Sequence, residues 1–149
     1  MQSLSNRRGF TLIELLVVIA IIATLAGVVA PALFGNVGRA KSTAARAQLE
    51  IFSLALDTYR LDVGAYPSET DGLQALRTAP ADTRLRDRWR GPYLRQDIPL
   101  DPWGIAWVYR IPESSDGRTF ELFSLGRDGR IGGIEEDADV TSWGGPVSR

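Results

Sequence analysis

Five carboxylates crowd one stretch of this chain. Asp128, Glu135, Glu136, Asp137 and Asp139 fall within twelve residues, in a run SLGRDGRIGGIEEDADVTSW that carries four glycines. Carboxylates and glycine-freed backbone carbonyls suit a hard cation, and calcium, which accepts about six to eight oxygens in loose geometry, is the natural candidate. The alternating D-x-D-x-D-G order of an EF-hand is absent. The same residues also read as a hairpin turn at Asp128-Gly129 followed by a solvated acidic loop, and spacing alone leaves both readings open. A sixth carboxylate stands apart: Glu14 is the only charge in residues 10–34, FTLIELLVVIAIIATLAGVVAPALF. In an apolar run of membrane length a carboxylate costs several kcal/mol unless it is paired or protonated, so it marks a functional position.

Other chemistries are thinly supplied. The chain has no Cys and no His, which removes thiolate nucleophiles, disulfides, imidazole bases and nearly every zinc or haem ligand set. A membrane-tethered glycosidase working through Asp and Glu is disfavoured, because the acidic residues gather in one loop and not on two sides of a cleft. Lys and Arg number 17 against 18 acidic residues. Without a positive excess, nucleic acid is a poor partner.

The elements that position these groups follow from the hydropathy pattern. At 149 residues the chain holds one domain and one long anchoring element. Roughly 20 helical residues cross the ~30 Å hydrocarbon layer, and residues 10–34 meet that length. Arg7 and Arg8 precede the run with no acidic neighbour, so the positive-inside rule keeps the leader cytoplasmic and sends the rest outward. A secretory signal would place its small-residue cleavage site after the apolar run, whereas here Gly9 precedes it. Pro31, with Gly27 and Gly35 nearby, reads as a kink or a locally melted turn, or as a tolerated membrane proline.

Beyond it, Ala45, Leu49, Phe52, Leu56 and Tyr59 recur at four- and three-residue steps among Arg39, Lys41, Arg46, Glu50, Asp57 and Arg60. That spacing predicts an amphipathic helix over 35–62, ended near 62–64 by a left-handed Gly64 with Pro67 beyond. Residues 10–61 thus form one long, kinked helix. A short helix fits between Pro67 and Pro80. Arg84, Arg86, Arg88 and Arg90, interleaved with Asp82 and Asp87, read as a solvated loop face in preference to an anion site. Residues 91–104 are loop, broken by three prolines and two glycines. Strands over 106–111 and 119–125, with Asp116-Gly117 between them, predict a hairpin. The expected class is α+β: a long N-terminal helix packed on a small antiparallel sheet.

The run RRGFTLIELLVVIAII resembles the class III signal of type IV pilins, pseudopilins and their relatives. The region after the helix resembles the major pseudopilins of type II secretion, in the blocks Tyr66-Pro67, Asp71-Gly72-Leu73-Gln74-Ala75-Leu76, residues 89–94, Asp101-Pro102-Trp103-Gly104, residues 124–129 and residues 137–143. The resemblance implies that a prepilin peptidase removes leader 1–9 by cutting between Gly9 and Phe10, and that the Phe10 amine is methylated. It implies that Glu14 meets the Phe10 amine of a neighbouring subunit as helices enter a filament. Paired, the two charges satisfy each other, and a misregistered subunit would leave one buried alone. Residues 10–34 would then be the transmembrane and filament-core helix, and 35–149 the periplasmic head, on a single-pass protein of the bacterial inner membrane. The family's calcium site would map onto the side chains of Asp128 and Asp139, helped by Asp137, with the backbone carbonyls of Leu125 and Arg130. The chain departs from the usual loop at Ile131, Ile134 and Glu136.

The function implied is structural, not enzymatic. Many copies form a short periplasmic filament, the homo-oligomer, with minor pseudopilins. A cytoplasmic assembly ATPase acting through an inner-membrane platform protein extends it and drives folded cargo through an outer-membrane secretin. A type IV pilin or a minor pseudopilin is the alternative, although adhesive and motility pilins usually carry a carboxy-terminal cysteine pair that is missing here.

Overall fold

The structure is a computed structural model that describes residues 10–112 and 119–147, with the backbone alone over 28–36. Arg7, Arg8, Gly9 and the turn signal Asp116-Gly117 lie outside the described residues. In chain order the elements are helix α1 (Leu12–Val63), a 3-10 turn (Gly72–Leu76), helix α2 (Thr83–Arg86), strands β1 (Val108–Arg110) and β2 (Glu121–Ser124), a second 3-10 turn (Glu135–Asp137) and strand β3 (Val140–Thr141). The chain divides into two compact units, one ending at Val37 and one beginning at Gly38.

In the first unit, Thr11 opens α1. Its Oγ1 accepts from the Glu14 N–H at 3.3 Å, satisfying one of the orphan donors every helix start carries. The large apolar side chains that follow are exposed, Leu12 at 85 % and Ile13 at 71 %. Among the described residues no helix is long and apolar enough to cross a membrane, and the described side chains of the apolar run stop at Gly27. The helical backbone continues through Pro31, where the sequence suggested a kink or a melted turn. Losing one hydrogen bond does not by itself unwind a helix whose neighbouring turns are intact.

The second unit is built on the face the periodicity marked. Ala45, Leu49, Phe52, Leu56 and Tyr59 are each at most 1 % exposed, and they join Val63, Leu76, Leu122 and Val140 in one core. Burying each large side chain contributes about 1.5–3 kcal/mol. The helix stops where Gly64 takes a φ of +96° and donates its N–H to the Arg60 carbonyl at 2.8 Å, a left-handed cap that only glycine adopts without strain.

The sheet runs β1-β2-β3, all antiparallel. The expected hairpin is β1 and β2, in register Val108↔Phe123 and Arg110↔Glu121. Strand β3, which pairs Phe123 with Thr141, was not expected. It is two residues long, too short to print an alternating pattern. The arginine-rich segment also departs from the expected loop, because Asp82 accepts from the Arg84 N–H at 2.8 Å and caps the four-residue α2. The predicted short helix between Pro67 and Pro80 is the first 3-10 turn. Aromatic residues pin the long loop: Tyr93 meets Tyr59 edge-on at 5.6 Å and donates to Asp62, while Trp107 meets Phe52 at 5.5 Å.

Candidate functional site

The acidic residues lie on the loop that connects β2 to β3, so the unexpected third strand anchors its far end. Two glycines let the loop fold on itself. A Cβ on Gly133 would stand 2.3 Å from the Asp137 carbonyl oxygen, and one on Gly126 would stand 2.8 Å from the Ala138 carbonyl oxygen. Glu135 holds a φ of +55°, a left-handed conformation that costs a non-glycine residue about 1–2 kcal/mol.

Each predicted ligand has a definite place. Leu125 directly follows β2 and is half-buried. Asp128 Oδ1 accepts from the Arg130 N–H at 3.0 Å, closing a tight turn at the loop's near end. Asp139 Oδ2 accepts from the Gly132 N–H at 2.8 Å, while its Oδ1 is buried with no hydrogen-bond partner. Asp137 is engaged on both oxygens: Arg127 Nε reaches Oδ1 at 2.9 Å and Nη2 reaches Oδ2 at 3.1 Å. Among the described residues no three acidic groups converge closely enough to hold a metal ion. The donor set nevertheless suits calcium in kind, being all oxygen and flexible, and the orphaned Asp139 oxygen is a buried acceptor that a cation would satisfy.

The loop is tied to its surroundings at three points that sequence reading missed. Arg127 is the first. Its backbone N–H also donates to the Glu136 carbonyl at 2.8 Å, and the adjoining Asp137 carboxylate holds the guanidinium proton more tightly than usual. Asp101 is the second. Its carboxylate accepts from the Trp103 and Ile105 N–H groups at 3.0 and 2.8 Å and from the Ser124 hydroxyl at 2.5 Å, and Ser124 in turn accepts from the Gly126 N–H at 3.1 Å. The third is Gly38 of α1, where a Cβ would stand 2.5 Å from Glu136 Cγ. A signal existed for Asp101, since D-P-x-G is turn chemistry.

Glu14 sits in the first turn of α1. Its side chain is exposed and makes no ion pair among the described residues. Phe10 is 83 % exposed, and Gly9 lies outside the described residues.

Comparison with known proteins agrees with this architecture. Residues 32–143 match the family model of the type II secretion system protein G, and residues 4–30 match the prokaryotic N-terminal methylation motif. The type II secretion system core protein G of Pseudomonas aeruginosa is 39 % identical over 138 residues, covering 93 % of this chain and 96 % of that protein. Its counterpart in Vibrio cholerae is 38 % identical, covering 96 % of each. The crystal structure of the major pseudopilin from the type 2 secretion system of enterohaemorrhagic Escherichia coli superposes with a TM-score of 0.60 at 31 % identity, covering 74 % of this chain and 93 % of that one. With its head and its N-terminal motif both matched, this chain belongs to the type II secretion system protein G family.

Proposed function

We propose that this chain is the major structural subunit of a type II secretion pseudopilus. It is carried in the inner membrane by residues 10–34 with its head in the periplasm, and is assembled through α1 into a filament that drives folded proteins through the secretin. One observation carries the reading: a helix start whose large apolar residues are all exposed precedes a head that matches protein G. Such a surface needs a lipid or a helical partner. In this reading prepilin peptidase cuts between Gly9 and Phe10, and the methylated amine of Phe10 receives Glu14 of a neighbour. No bond-making step belongs to the chain itself. Minor pseudopilins, the platform protein and the assembly ATPase are its partners in the same machine.

Calcium belongs to the proposal. Asp128 and Asp139 would hold the ion with Asp137 and the carbonyls of Leu125 and Arg130, and the bound ion would fix the loop by giving its carboxylates a common partner. A ligand that binds only the folded form at a hundredfold excess over Kd adds about 2.7 kcal/mol, or roughly 10 °C in thermal midpoint for a head of this size. Deleting the gene in its host and returning Glu14→Ala is expected to leave the head folded, yield no filaments and keep exoproteins in the periplasm. Normal secretion by that variant would sink the register role. A thermal midpoint that ignores calcium, in the parent and in Asp128→Ala and Asp139→Ala alike, would remove the metal from the account and leave the filament role standing.

A further inference from the structure

We propose that Arg127 is the acidic loop's built-in competitor for calcium: its guanidinium holds Asp137 and must release it for the cation, so Arg127 sets how tightly the loop binds metal. The proposal rests on the reading of the loop as a calcium site.

The geometry is that of a fork closed on a carboxylate. Nε and Nη2 take the two oxygens of Asp137 at 2.9 and 3.1 Å, and Nη1 stands 3.8 Å from Glu136 Oε2. Planar, two-toothed pairing of this kind is what arginine does and lysine cannot. The main chain of Arg127 is bound as well, to the Glu136 carbonyl, so one residue gathers the side chains and backbone of 136–137. Asp128 adds its field to those of Asp137 and Glu136, which makes Arg127 the loop's own counter-cation. Its side chain is 60 % exposed, so swinging outward uncovers little surface.

The two aspartates that flank Ala138 are therefore unlike. Asp139 keeps a buried oxygen with no partner, whereas both oxygens of Asp137 are occupied. A calcium ion entering beside the intact pair meets one carboxylate fewer and a like charge nearby. Both effects weaken binding.

The test measures calcium affinity calorimetrically on the full chain in detergent micelles, for the parent, Arg127→Gln, Arg127→Lys and Asp139→Asn. The arginine Nε–H resonance is followed by NMR in the parent. An exposed ion pair is a small barrier, so Arg127→Gln is expected to bind calcium about two- to fivefold tighter. Arg127→Lys, which keeps the charge and loses the fork, falls between. The Arg127 Nε–H signal moves to its solvent-exposed position as calcium saturates. Equal or weaker binding by Arg127→Gln overturns the proposal and makes Arg127 a residue that orients Asp137. An Nε–H signal unmoved at saturation overturns it too, and so does binding that survives Asp139→Asn. Heat of binding absent from parent and Arg127→Gln alike overturns the calcium reading with it, whereas binding by Arg127→Gln alone supports both.

Discussion

A carboxylate that is 5 % exposed and accepts three hydrogen bonds holds two distant segments together: Asp101 closes the turn through Ile105 and grips Ser124 at the end of β2. Truncation to Ala strands two N–H groups and a hydroxyl in a buried place, and each charge-assisted bond is worth about 1.5–3 kcal/mol. Asp101→Ala is therefore expected to lower head stability by roughly 3 kcal/mol or more in urea denaturation. Asp101→Asn, which keeps an acceptor for the N–H groups, should lose less than half of that. Equal losses would mean that charge, not hydrogen bonding, holds the turn. At this scale the sequence showed residue types and little of their pairing. The carboxylates of the loop were legible as a group because they crowd one short stretch, but the engagement of Asp137 by Arg127 was not, since a ten-residue separation through three glycines fixes no distance.

Helix α1 presents two apolar faces in the head, and only one is used there. Ile51, Leu54 and Leu61 are 52 %, 69 % and 84 % exposed. With Thr58 they keep alternating three- and four-residue steps that continue back through the exposed Ala47, Ala44 and Ala40. This is the spacing of a helix–helix seam, set away from the buried face of Leu49, Phe52 and Leu56. Leu54→Asp and Leu61→Asp are expected to change the unfolding free energy of the isolated head by no more than about 0.5 kcal/mol while abolishing filament formation in cells, counted by electron microscopy of sheared surfaces. Filaments at parental number would assign the seam to no subunit contact. The buried face was readable because five residues obey one period over four turns. Strand β3 and α2 were not, because a two-residue strand and a four-residue helix carry no period and owe their existence to pairing with β2 and to the Asp82 cap.

The assembled head has an alkaline limit that its composition makes easy to see. Burial raises the phenol pKa of Tyr59, Tyr93 and, most of all, Tyr109, above the ordinary value near ~10. A group whose folded pKa is raised keeps its full stabilising contribution below the unfolded value and loses it as pH climbs past that value. Lys41 is the only lysine and arginine stays charged, so little else titrates there. Thermal midpoints are thus expected to be flat from neutral pH to about 9 and to fall steeply beyond about 10. Tyr109→Phe should start lower, because the hydrogen bond from its hydroxyl to the Pro67 carbonyl at 2.8 Å is lost, yet decline less with pH. A slope unchanged in that variant would exonerate Tyr109. The whole molecule also has a joint that yields without breaking, where the loop meets α1. The Glu136 side chain occupies the space that a side chain at Gly38 would need. A larger residue at 38 would push that flexible carboxylate aside at little cost to either backbone, and so change what the loop presents beside the helix without unfolding the head.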